Sequence, residues 1–349
     1  MLGKSGAHTQ FGPVPCPARR RGTPPWRDGP EVTAGRDEFE VIDALRARFE
    51  AAGGPPTGGD LGIGDDAAVV TVAGSGQVVL ATDLVVAGVH VDLGTCSPED
   101  VGWKSLMVTV SDLGAMGCVP SHALLSVAAP VGFPIERLAD GVAEAAVAAG
   151  CVVVCGDLSS SPVLVVSVTA VGPTPGGPPP LRRSGARPGD RLLVTGPLGS
   201  SAAGLRLSVG TAAASAPTAT VAALVAAHRR PVARLHEGRV AREVGATAAI
   251  DVSDGLTADV VHLAEASGVG VELEVGGGLV ARGATRDEAL SGGEDYELVL
   301  ATPDPDSLRA AFRVEGLRPP LDLGWCTDRP GRWLIDGAPL PVAGWRHRF

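Results

Sequence analysis

Residues 97–117 read SPEDVGWKSLMVTVSDLGAMG, and the organisation of the chain follows by working outward from them. Ser97 suits a helix N-cap, Pro98 the first helical position, and Glu99 and Asp100 the first turn, where carboxylates favour the helix dipole. Trp103, Leu106, Met107 and Val110 then recur at helical spacing and predict a buried stripe. At about 100° per residue, Asp112 points about 180° away from Trp103. That direction suits either a solvated face or a face turned toward a polar site.

Short strand-like runs flank this helix at Val78–Ala81, Ala123–Ala128, Val152–Val154 and Leu164–Val171. Upstream, Phe39, Ile42, Leu45 and Phe49 recur at helical spacing and mark the start of the folded body. Residues 1–36 are rich in Gly, Pro and Arg without periodicity and read as a disordered extension. Downstream, the Gly/Pro block from Pro173 to Pro180 breaks any element, and a new apolar run begins after Asp190, which sets a domain boundary near residue 180. The Ala-rich run Ala212–Ala227 reads as a linker leading into a helix. Helices at about 232–244 and 254–267 alternate with strands at about 271–275 and 296–301. The chain is therefore expected to be α+β (mixed α/β), with an extension at 1–36 and domains at 37–180 and 181–349.

Composition narrows the function. The 349 residues suffice for roughly two domains. The 39 acidic against 29 basic residues give a net charge of -10, which argues against a general nucleic-acid or anionic-membrane binder. No run of about 18 apolar residues suggests a membrane span. No apolar stretch follows Arg19–Arg21 to make a secretory signal, and the six scattered cysteines read as buried free thiols, so a cytoplasmic protein is expected. Only Lys4 and Lys104 are lysines, so phosphate chemistry here must manage with few ammonium groups.

The candidate chemistry lies in aspartates held in short motifs: GIGDD (Asp65, Asp66), ATD (Asp83), VSD (Asp112), CGD (Asp157) and DVSDG (Asp251, Asp254). Asp83, Asp157 and Asp251 each follow an apolar strand-like run, where sites are commonly assembled. Seven carboxylates in one cleft would repel strongly unless cations lay between them, and hard oxygen ligands select Mg²⁺ or Mn²⁺ with substrate phosphates. The alternative is that these Asp-containing stretches are turns and caps. No GxGxxG motif follows a strand, no HExxH or GxSxG motif is present, and Gly3-Lys4-Ser5 lacks the leading glycine of a P-loop.

Taken in order, GIGDDAA (62–68), TDLVVAGVH (82–90), WKSLMVTVSDLGAMG (103–117), CGDLSSSP (155–162), RSGARPGD (183–190), DVSDGL (251–256) and SGGEDYEL (291–298) resemble the thiamine-monophosphate kinase family. Its superfamily includes aminoimidazole ribonucleotide synthetase and selenophosphate synthetase. The resemblance implies an aminoimidazole ribonucleotide synthetase-like fold, with a strand-rich, dimerising N-terminal domain and a C-terminal α/β sandwich. It implies ATP-dependent phosphorylation of thiamine monophosphate to thiamine diphosphate by a cytoplasmic homodimer using several Mg²⁺ ions. On matching positions, Asp66, Thr82, Asp83, Asp112, Asp157, Asp251 and Asp254 are the implied metal ligands, with Asp83, Asp157 and Asp254 central to catalysis. Gly156, Asp157, Arg183 and Ser253 match the ATP side, and His90, Glu294 and Trp345 the thiamine-phosphate side. Glu294 would pair with the cationic part of thiamine and Trp345 would stack on a ring. Because a phosphate monoester is already largely ionised at pH 7, no general base is needed.

Ala81 stands where the family usually carries a hydroxyl residue, and CGDLSSSP lacks the arginine of a GGDTTR-like run. The alternatives are another ATP-dependent enzyme of the superfamily and a catalytically silent nucleotide- or metal-binding paralogue. Neither a reactive cysteine in Gly53–Asp60 nor a TDGVGTK-like motif is present to support the two named superfamily relatives.

Overall fold

The computed structural model of the chain describes residues 38–53, 60–72, 76–174, 176–210 and 217–347. The expected extension at 1–36 lies outside them. The helix predicted at Ser97 forms α2 (Pro98–Ala115), and its start is a capping box: Ser97 Oγ accepts from Asp100 N while the Asp100 carboxylate accepts from Ser97 N. Almost every residue from Val101 to Ala115 is buried, far more than the predicted stripe. A helix apolar nearly all round must be covered on all sides, and α2 is covered because it lies between two sheets.

The first sheet contains β1 (Ala68–Val72), β2 (Gly76–Val86), β3 (His122–Ala129), β4 (Val152–Ser160) and β5 (Val165–Pro173), in the order β1-β2-β5-β3-β4. Helix α3 (Ile135–Ala149) joins the parallel pair β3 and β4. It packs on α2 at two glycines, because a Cβ on Gly102 would stand 2.0 Å from Leu138 O and one on Gly141 1.9 Å from Glu99 O. Val79, Ala81, Val85, Ala123, Val127, Val166, Val168 and Ala170 meet the helices, while the alternate residues line an open face. The edge strand β4 is exposed along its whole length, so Cys155 is exposed, against the expectation of a buried thiol. Cys96, Cys118, Cys151 and Cys326 are buried and free as expected.

Beyond β5, α4 (Ser200–Ser208), α5 (Thr218–Arg229), α6 (Leu235–Glu243), α7 (Leu256–Ser267), α8 (Arg286–Ser291) and α9 (Pro305–Val314) alternate with a second sheet. Its strands are β6 (Arg191–Val194), β7 (Ala248–Asp251), β8 (Gly270–Leu273), β9 (Leu298–Thr302), β10 (Leu321–Thr327), β11 (Trp333–Ile335) and β12 (Ala338–Pro339). They run in the order β12-β11-β8-β10-β6-β9-β7, and the edge strand β7 lies beside α2. The fold is mixed α/β with two sheet-and-helix units, as expected. The unit cores are joined by residues that cross over: Ala233 and Tyr296 sit in the first core, while Ala115 of α2 packs with Leu193, Leu298 and Phe312.

The upstream periodicity forms α1 (Glu38–Gly53), but Leu45 and Phe49 remain exposed. Periodicity specified the helix without specifying what covers it. None of the described helices is long and apolar enough to cross a membrane.

Candidate active site

The seam between α2, the two sheets and the loop before β1 gathers carboxylates. Asp66 comes from that loop, Asp112 from α2 and Asp251 from the end of β7, and one oxygen of each lies within 4.8 Å of the others. Asp112 is therefore the polar side of a helix enclosed by protein, and the solvated-face reading is wrong. Ser111 Oγ donates to Asp251 Oδ2 at 2.6 Å, and Asp83, on β2, faces Thr109 and Asp112. Thr109, Ser111 and Asp112 thus aim three side chains of one helix at the cluster.

Burial raises the pKa values of these groups, and mutual repulsion adds to it at Asp112 and Asp251. Burial raises Asp83; burial and the charges of Asp83, Asp251 and Asp66 push Asp112 well above the carboxylate range. Asp251 rises to about 7, mainly through burial and then the Asp66 charge. Burial also raises Asp66, against the opposing pull of Arg183. The Arg183 guanidinium donates through Nε (3.0 Å) and Nη2 (2.6 Å) to Asp66 Oδ1, and its backbone N–H donates to Asp65 Oδ1 at 3.0 Å. The other oxygen, Asp66 Oδ2, is buried with no hydrogen-bond partner. An orphaned carboxylate oxygen in an all-oxygen cluster fits a hard divalent cation.

Asp254 follows β7 in the next turn, and burial, then Glu38, raises it to about 6. Its neighbour Ser253 accepts through its carbonyl from Glu294 N at 2.7 Å. The loop carrying Glu294 is strained, with Glu294 at φ 57° and Tyr296 at φ 51°. Gly293, at φ 67°, has no room for a side chain: a Cβ would meet Ser253 O at 2.6 Å. Glu294 is already paired. Lys104 Nζ lies 2.6 Å from its Oε1 and His228 Nδ1 3.3 Å from its Oε2, leaving the side chain 28% exposed. Burial opposes its ionisation, but Lys104 and His228 override that and hold it down at about 2. Lys104 also donates to His90 O at 3.3 Å, so His90 and Glu294 share one anchor. Trp345, 53% exposed, stands at the same place, with its backbone N–H donating to Asp254 O.

Two implied ligands lie elsewhere. Strand alternation separates Thr82 from Asp83: Thr82 Oγ1 donates to Val168 O and meets Thr169 Oγ1 on the open face of the sheet. Asp157, on β4, pairs in register with Ser126, which pairs with Ser167 opposite Leu84, so it shares that open face. Gly156 stands a row away, where a Cβ would lie 1.9 Å from Leu125 O. Sequence reasoning assigned no site role to Lys104, Thr109, Ser111, His228 or Tyr296. One signal was available for Lys104: it is one of two lysines in the chain and the one cation in a helix whose other charges, Glu99, Asp100 and Asp112, are acidic.

Residues 64–174 match the family of AIR synthase related proteins in its N-terminal domain, and residues 187–334 match its C-terminal domain. The chain belongs to that class. Thiamine-monophosphate kinase of Mycobacterium tuberculosis is 39% identical over 325 residues, covering 88% of this chain and 91% of the relative. That of Bacillus subtilis is 36% identical over 272 residues, covering 75% and 82%. A solved structure described as "AaThiL complexed with AMPPCP and TMP" superposes with a TM-score of 0.77 at 33% identity, covering 89% of this chain and 97% of that one. Within the AIR synthase related proteins, this chain is a member of the thiamine-monophosphate kinase family.

Proposed function

We propose that the chain transfers the γ-phosphoryl group of ATP to the phosphate of thiamine monophosphate, giving thiamine diphosphate and ADP. The observation that carries this reading is the oxygen cluster of buried Asp66 and Asp251 with half-buried Asp112, with Asp66 Oδ2 unpartnered and Arg183 beside it. Asp66, Asp83, Asp112 and Asp251 would hold Mg²⁺, with Asp254 at the rim. Bound Mg²⁺ supplies charge neutralisation on the phosphates and lowers the cost of bringing two anions together.

The protein's own part is positioning. Arg183 offers a planar guanidinium that Asp66 Oδ1 orients by accepting from both Nε and Nη2, while Asp65 holds the Arg183 backbone N–H. His90, Glu294 and Trp345 form the acceptor side. Because Lys104 already meets the Glu294 charge, Glu294 would contribute through its partly exposed carboxylate edge, while the Trp345 face takes a ring. The acceptor phosphate is already largely ionised near neutral pH, so the residues need to align and desolvate it and need not deprotonate it.

Thr82 and Asp157 lie on the open face of the first sheet, where Leu84 and Leu124 are exposed, and Gly156 stands beside Asp157 on the exposed edge strand β4. A second copy of the chain covering that face would place them in an enclosed setting, which supports a homodimer through the N-terminal unit. A division of the chain near residue 180 accords with a first sheet ending at Pro173 and a second starting at Arg191. Unpaired cysteines among the described residues accord with a cytoplasmic location. The test is ADP release by purified protein, expected to require both a divalent cation and thiamine monophosphate. Equal ATP consumption without thiamine monophosphate would refute the reading.

A further inference from the structure

The last described residues form a strap across the Asp254 turn. Thr257 Oγ1 donates to Ala343 O at 2.7 Å, Trp345 N donates to Asp254 O at 3.0 Å, and His347 N donates to Glu38 Oε2 at 3.2 Å. These anchors are made by backbone atoms of the strap, so they do not depend on the imidazole of His347. That imidazole faces two side chains at once. Its Nε2 lies 3.3 Å from His90 Nε2 and 3.3 Å from Trp345 Nε1.

The proton positions follow from what each partner can do. Indole Nε1–H only donates, so His347 Nε2 accepts from it and carries no proton. Val86 N–H donates to His90 Nδ1 at 3.0 Å, which places the proton of a neutral His90 on Nε2. Burial, followed by the nearby His347, lowers the pKa of His90 and favours this neutral form. His90 Nε2–H then points at the same His347 lone pair. One lone pair serving two donors accounts for both distances lying just beyond the usual range. The rings meet edge to face, at 68° between His90 and His347 and 83° between Trp345 and His347.

We infer that His347 is a positioning residue for the acceptor substrate: its Nε2 ties His90 of the first unit to Trp345 of the strap and fixes the indole face toward the bound thiamine phosphate. The inference rests on the reading of His90 and Trp345 as the acceptor side. It adds a specific demand, an acceptor atom at the Nε2 position of residue 347. Glutamine supplies one at nearly the same reach through Oε1, and leucine supplies none.

The experiment compares full-length wild-type protein with His347→Gln and His347→Leu, varying thiamine monophosphate at saturating Mg-ATP and then the reverse. The expected result for His347→Leu is a KM for thiamine monophosphate raised about tenfold, the scale of one or two lost hydrogen bonds, with the KM for ATP within about twofold and Tm unchanged. His347→Gln should stay within about threefold of wild type in both. An unchanged KM in His347→Leu, equal losses in Leu and Gln, or equal changes for both substrates would overturn the inference. A second readout needs no substrate. The emission of Trp345, taken as the difference from Trp345→Phe protein, should shift in His347→Leu and be retained in His347→Gln; no shift would count against the tie. If wild-type protein fails to use thiamine monophosphate, the functional reading falls, and the emission still decides whether His347 holds Trp345.

Discussion

Lys104→Met should leave Glu294 charged and largely enclosed, with only His228 beside it. The magnitude follows from two independent routes. Glu294 is held at about 2 against an ordinary value of 4.5 by Lys104 and His228 together, and at about 1.4 kcal/mol per pKa unit this sets an upper bound of about 3 kcal/mol on the Lys104 share at neutral pH. Breaking a buried pair by removing one partner costs about 3–5 kcal/mol. The Glu294 side chain is 28% exposed, so solvent relieves part of the penalty and about 2–3 kcal/mol is expected. For a chain of this size that is a fall in Tm of roughly 3–4 °C.

The sign with pH is definite. A depressed carboxylate contributes stability that is fully present above its unfolded value near 4.5 and lost as pH falls toward about 2. The deficit of Lys104→Met should therefore be equal at pH 6 and pH 8 and shrink below about pH 4.5. Adding Glu294→Gln removes the orphaned charge, and the double variant should recover most of the loss. Calorimetry of the three proteins at those pH values is the assay. A Lys104→Met protein within about 1 °C of wild type, or a double variant less stable than the single one, would refute the argument that Lys104 neutralises Glu294.

Asp251→Asn and Asp83→Asn should fold normally and lose turnover, because each removes a cluster carboxylate while keeping its shape; circular dichroism with a steady-state assay checks both, and near-wild-type rates would remove that residue from the metal-holding set. Gly102→Ala should destabilise by about 3 kcal/mol or prevent folding, because its Cβ would stand 2.0 Å from the Leu138 carbonyl, backbone that cannot step aside; thermal unfolding reports it.

The sequence was most informative where chemistry is local. The start of α2 was legible because a capping box needs only Ser97, Pro98 and Asp100. Two aspartates of the cluster, Asp83 and Asp251, were legible because they follow apolar runs. Their partition was less so. Thr82 and Asp83 are adjacent in a motif but lie on opposite faces of β2, and the same alternation, read across three strands, leaves Asp157 facing away from α2. A motif records which residues occur together, whereas the pleat decides which of them meet. Lys104 and Glu294 are 190 residues apart and His90 and His347 are 257 apart; both pairs depend on how the units and the strap close, and no periodicity carries that information. Asp112 was ambiguous for the same reason, since the second sheet that encloses its face cannot be read from the helix alone.

The identity of the phosphoryl acceptor decides what this chain does. Purified protein incubated with Mg-ATP and thiamine monophosphate, followed by phosphorus NMR, should show thiamine diphosphate and ADP appearing in equal amounts as both reactants fall. ADP and inorganic phosphate with thiamine monophosphate untouched, or no change in any resonance across several divalent cations, would contradict it.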